Sequence, residues 1–128
     1  MIAIGTDSVL RAPRRIQLSR ARGWRMPGGA RKVDRTTRWG NPWRIWQDPI
    51  DRLWRLDYGP LDGGVLAFRT RNFAAEEAVR LYRLWVIGRG IDYTPLAGWN
   101  LACWCLLPEL GYPDRCHAAV LLELANPT

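Results

Sequence analysis

Between Asn72 and Gly88 the apolar residues recur at helical spacing: Ala78, Leu81, Tyr82 and Trp85 fall at i, i+3, i+4 and i+7. Side chains so placed share one face, and that face must be covered by other structure. The spacing predicts a helix over about 73–87, capped by Asn72 and stopped by Gly88, with Glu76 and Arg80 paired at i, i+4 on the wet side. The remaining patterns supply its cover. Arg14–Ser19 alternates, with Ile16 and Leu18 on one face and Arg15, Gln17 and Ser19 on the other, as in a half-buried strand. Lys32–Asp34, Trp43–Trp46 and Asn100–Cys105 read as further short strands. A second helix is expected over about 115–125, after Pro113 and capped by Asp114. Gly23, Pro27, Gly28 and Gly29 mark a loop, Trp39-Gly40-Asn41-Pro42 a turn, and 48–64 an irregular surface insertion. Strands interleaved with helices imply an α/β or α+β class: a short mixed sheet with the two helices packed on it. A length of 128 residues suits a single small domain spanning 1–128.

Charge is unevenly distributed. The net charge of +7 comes from 18 arginines and one lysine, Lys32, against 12 acids. Residues 11–44 alone carry ten arginines, that lysine and one acid, Asp34, so this window is +10 and the rest of the chain −3. Four of the eight tryptophans lie among these charges: Trp24, Trp39, Trp43 and Trp46. Guanidinium groups beside aromatic planes suit a nucleotide or single-stranded nucleic acid. The alternative is that the arginine excess reflects codon usage and that the tryptophans stack on arginines internally.

No run of 18 apolar residues occurs, and the first ten residues lack both a positive start and a cleavage site. The expected location is therefore cytoplasmic, with no membrane partner. Three cysteines, Cys103, Cys105 and Cys116, are a poor disulfide framework and a better reduced or metal-bound set. In a strand Cys103 and Cys105 point to the same side, and Cys116 and His117 open the last helix. Three readings follow. Zinc takes three thiolates and one imidazole as a common donor set, although adjacent first-turn residues diverge by about 100°. Alternatively Cys116, at a helix start where backbone N–H groups favour an anion, is a reactive thiol with His117 as its base or partner. In the third, the cysteines are core residues and His117 is a buried, hydrogen-bonded histidine.

The words Arg22-Gly23-Trp24-Arg25-Met26-Pro27, Trp39-Gly40-Asn41-Pro42, Asn100-Leu101-Ala102-Cys103-Trp104-Cys105 and Cys116-His117-Ala118 resemble those of an uncharacterised domain-of-unknown-function family of small bacterial and phage proteins. Relative to that family, the stretches 46–72 and 106–115 look longer. The resemblance implies that these words meet at one edge of the sheet, where ligands bind in α/β folds. Arg25 and Arg38 would then hold phosphate, Trp39 would stack on a base, and Asn41 or Asn100 would read polar edges beside Cys116 and His117. The expected function is recognition of a nucleotide or nucleic acid in one polar pocket, with an enzymatic role left open. Two alternatives stand beside it: a zinc-stabilised nucleic-acid-binding module without catalysis, and an interaction or inhibitor protein that binds another protein. There is no P-loop, no G-x-G-x-x-G and no zinc-deaminase pattern.

Overall fold

The computed structural model describes residues 12–58 and 66–127 of the chain. The readings made on the first ten residues, and the 59–64 part of the irregular insertion, lie outside them. Alternating stretches become β1 (Arg15–Gln17), β2 (Ala30–Lys32) and β3 (Trp43–Gln47). β4 (Trp54–Tyr58) and β5 (Leu66–Phe68) precede the long helix α1 (Arg71–Arg89). A 3-10 turn (Thr94–Leu96), β6 (Asn100–Cys103) and α2 (His117–Ala125) complete the order among the described residues.

The strands form two sheets where one mixed sheet was expected, which makes the class α+β. β6 lies between β1 and β2 with both pairings parallel, in the registers Gln17↔Cys103 and Lys32↔Ala102. β3, β4 and β5 form an antiparallel sheet in sequence order, with Ile45 opposite Leu56. β4 falls inside the stretch read as irregular, and Leu56 on it is fully buried. Its neighbours Asp51, Arg52 and Asp57 carry the polarity that masks the strand in the sequence, yet only one face of an antiparallel strand has to be apolar.

α1 starts two residues before its expected position because Thr70, not Asn72, is the cap. Its backbone is extended (φ −128°, ψ 155°) and its Oγ1 accepts the Phe73 N–H at 3.1 Å. The helix runs through Gly88 and stops at Gly90, whose φ of 64° is left-handed and whose N–H bonds back to the carbonyls of Ile87 and Val86. α1 packs on β3, β4 and β5 and on α2, and α2 packs on β6 and β1, so the two helices together join the sheets. The main core gathers Val33, Tyr82, Val86, Leu96, Leu101 and Leu121 between α1, α2 and the parallel sheet. Among the described residues no helix is long and apolar enough to cross a membrane.

Parallel pairing sends β1, β2 and β6 in one direction, so their carboxyl ends share one edge of the sheet. The chain leaves β2 there into the turn at Asp34–Thr36 and leaves β6 into Trp104 and Cys105. α2 begins at the same edge. This is where open sheets with parallel strands place ligands.

Candidate functional site

A cavity of about 900 Å³ opens at that edge. Its walls come from the turn after β2 (Asp34, Arg35, Thr36), the start of α1 (Arg71, Asn72), the segment after β6, and the start of α2 (Cys116, His117).

The three cysteines meet at this cavity. Their sulfurs all lie within 4.8 Å of one another, with Cys103 and Cys105 3.9 Å apart. Cys103 and Cys116 are buried and Cys105 is exposed. β6 ends at Cys103, and the bend over Trp104 turns the sulfur of Cys105 back toward Cys103. Cys116 is not inside the helix, as the expected start at 115 required. It is the N-cap, with extended φ −126° and ψ 142°, and its Sγ accepts the Ala118 N–H at 3.5 Å. An extended cap residue is free of the 100° helical step, so Sγ of Cys116 lies 3.7 Å from Nδ1 of His117 although the two are adjacent.

Asp114, expected as the cap, has another task. Its Oδ2 accepts from Nε of Arg15 at 2.7 Å, and Nη2 of Arg15 donates to the Leu106 carbonyl at 2.6 Å. Arg15, read as a wet-face residue of β1, is therefore buried, with its side chain 4% exposed. It fastens the chain just after Cys105 and just before Cys116, and so brings the two ends of the intervening connection together. Burial pushes the Asp114 carboxyl up, against the opposing pull of Arg15.

Electrostatics within the cluster single out Cys103. The neighbouring Cys105 and Cys116 thiols hold it well below the ordinary thiol range, whereas both of those are pushed up by the Cys103 sulfur and by burial. The helix-start argument expected Cys116 to be the acidic thiol; its contacts with the other two cysteines and its burial push it the other way. His117 lies between Val33 and Tyr82: its Nε2 is 2.6 Å from the Val33 carbonyl, and the Tyr82 ring packs edge-on with centroids 5.1 Å apart. That carbonyl requires the proton on Nε2, and burial lowers the imidazole pKa, so the ring is neutral with the Nδ1 lone pair toward Cys116.

The Trp39-Gly40-Asn41-Pro42 turn supports the site from behind. A Cβ on Gly40 would lie 2.5 Å from Cα of Arg35 and 2.7 Å from the Asp34 carbonyl oxygen, so only glycine fits there. Arg35 donates to the carbonyls of Asn41 at 2.6 Å and Trp43 at 2.7 Å. Asn41 is buried, accepts the Trp43 N–H at 2.9 Å and lines the cavity. Asp34 accepts from Thr36 through Oδ1 and from Nε1 of Trp104 through Oδ2 at 2.9 Å, which ties the turn after β2 to the one after β6. Burial acts to raise the Asp34 carboxyl, but these hydrogen bonds outweigh it and leave it below its ordinary value.

Of the five residues expected to bind ligand, Asn41 lines the cavity, and Arg25, Arg38, Trp39 and Asn100 do not. Arg38 stacks over Trp39 at 4.5 Å, and Nε1 of Trp39 donates to the Asp92 carbonyl at 3.0 Å. Asn100 accepts the Arg14 N–H at 2.8 Å at the opposite end of the sheet. Arg25 is exposed on the loop before β2. The cationic lining consists instead of Arg35, Arg71 and Arg115. Arg115 is paired with Glu76 at 2.9 Å, whereas among the described residues Arg35 and Arg71 have no carboxylate partner. In the sequence Arg35 is one of ten arginines in its window; the close approach of Gly40 that sets it apart has no sequence signature beyond the glycine itself.

Over residues 16–127 the chain matches the model of a domain of unknown function, DUF4326. It belongs to that family. No curated protein and no solved structure matches it. Within this DUF4326 domain, the two C-terminal words that carry the resemblance supply the three thiols, and Trp39-Gly40-Asn41-Pro42 packs behind the turn that faces them.

Proposed function

We propose that the cavity recognises a phosphate-bearing ligand of the nucleotide class. The observation that carries this reading is the pair of arginines, Arg35 and Arg71, that line a cavity of about 900 Å³ and have no carboxylate partner among the described residues. A volume of that order holds a nucleotide-sized molecule. Tyr112 adds an exposed aromatic ring to the same walls, suited to a flat ring. A thermal-shift panel tests it. Mononucleotides are expected to raise Tm saturably, free nucleosides to do so less, and Arg71→Ala to weaken the response about tenfold, the loss of one charge-assisted contact. A protein that ignores mononucleotides but shifts single-stranded oligonucleotides with steep salt dependence is a nucleic-acid-binding module instead.

One observation favours a second reading, a zinc-stabilised module without catalysis: three sulfurs, the donor type zinc prefers, lie together next to a buried imidazole. Chelation would then lower Tm in the absence of any nucleotide.

A further inference from the structure

We infer that Cys103, Cys105 and Cys116 form an open metal centre, binding a zinc-class ion whose fourth position faces the cavity and accepts an oxygen of the anionic ligand. The inference rests on the reading of the cavity as a phosphate-ligand site. The sulfur spacing carries it first. A tetrahedral zinc site with Zn–S bonds of about 2.3 Å has sulfurs about 3.8 Å apart. Cys103 and Cys105 stand at 3.9 Å, and all three sulfurs fall within 4.8 Å. The donor set contains no carboxylate, which selects a thiophilic ion over magnesium or calcium.

The fourth position is the second step. His117 is the obvious closing ligand, and its Nδ1 lies 3.7 Å from Sγ of Cys116, but it does not join the group of donor atoms that lie mutually within 4.8 Å. The Val33 carbonyl at 2.6 Å from Nε2 and the packing against Tyr82 hold the ring, and with it Nδ1, at that position. All three cysteines line the cavity, and Cys105 is exposed. Three protein ligands and one open position are the pattern of zinc sites that act on a ligand, as distinct from closed structural ones. Arg35 lines the same cavity and places a cation where an anion would approach the ion. Arg15, bonded to Leu106 and Asp114, holds both ends of the connection between Cys105 and Cys116, so the donors are brought together without an ion.

Cobalt substitution tests the centre. Untagged, reduced, metal-free protein titrated with Co²⁺ is expected to develop thiolate-to-cobalt absorption that saturates at one equivalent and is displaced by Zn²⁺. Cys105→Ser, at the exposed ligand, is expected to weaken Co²⁺ binding at least tenfold with far-UV circular dichroism unchanged. Inorganic phosphate added to the Co²⁺ form is expected to shift the visible bands saturably, and His117→Gln to leave the cobalt spectrum unchanged. If no thiolate absorption develops, the centre does not exist, while nucleotide-induced thermal shifts that persist in chelator leave the cavity reading intact. If Co²⁺ binds, phosphate is silent and His117→Gln alters the bands, the site is closed by His117 and the inference is overturned.

Discussion

Gly40 shows how one residue without a side chain fixes the geometry of charged ones. The backbone of Asp34 and Arg35 passes so close to it that a methyl group would overlap Cα of Arg35 at 2.5 Å. Arg35 is then held by two carbonyls of the same turn, and Asp34 by Thr36 and Trp104. Gly40→Ala is expected to lower stability by about 1–3 kcal/mol, the usual cost of forcing extra atoms into a packed region, and to displace Arg35 from the cavity. Urea unfolding reads the first effect through a reduced midpoint with unchanged slope, and the nucleotide thermal-shift response reads the second. A variant as stable as the parent would mean that the Asp34–Arg35 turn is free to move. The same scale explains why most tryptophans do not serve as open stacking planes. Trp39, Trp99 and Trp104 each lie under an arginine, at 4.5, 4.3 and 4.2 Å, and Trp43 packs edge-on against Trp85. The abundance of Trp beside Arg is visible in the sequence; that the arginines cover those rings depends on partners such as Arg31 and Trp99, which are far apart in the chain.

At the scale of elements, the link between β1 and the segment leading to α2 is one buried ion pair. Arg15 satisfies Asp114 and Leu106, yet its Nη1 and the Oδ1 of Asp114 remain buried without hydrogen-bond partners. Removing one member leaves the other charge uncompensated in the interior, so Arg15→Met is expected to cost about 3–5 kcal/mol. The double variant Arg15→Met, Asp114→Leu should recover much of that loss, because two apolar groups leave nothing unpaired. Chemical denaturation of the three proteins in a double-mutant cycle checks it; equal losses in the single and double variants would show that the pair is not coupled. The periodicity of 14–19 assigns Arg15 to solvent because alternation specifies faces, and it carries no information on which face the connection from Cys105 to Cys116 will cover. The helix over 73–87 was legible for the opposite reason: of its stripe Ala78 and Tyr82 are buried and Leu81 and Trp85 half-buried, the buried face running through Ala74, Ala75 and Val86.

For the whole molecule, the question is whether two sheets make one folding unit. α1 packs on the antiparallel sheet and on α2, which packs on the parallel one, and the antiparallel sheet buries Leu56 completely. Leu56→Ala is expected to lower stability by about 2–5 kcal/mol while keeping a single transition, with far-UV circular dichroism and tryptophan fluorescence coincident. Two separated transitions would show that the antiparallel sheet melts on its own.

The sequence alone determined what depends on local spacing and chemistry: the α1 stripe, the strand at Trp43–Trp46, an α+β or α/β class, and a set of thiols with one imidazole. Tertiary structure decided which of these features share a site. Parallel pairing of β6 with β1 and β2 brings residue 34 to the cysteines and sends Asn100 to the far end, and the Gly40 turn places Arg35 at the cavity while Arg38 covers Trp39. The physical reason is that periodicity states which face of an element is buried, whereas a binding site is defined by the ends of elements. Where those ends meet is fixed by register and by contacts such as Arg15–Asp114, 99 residues apart in the chain.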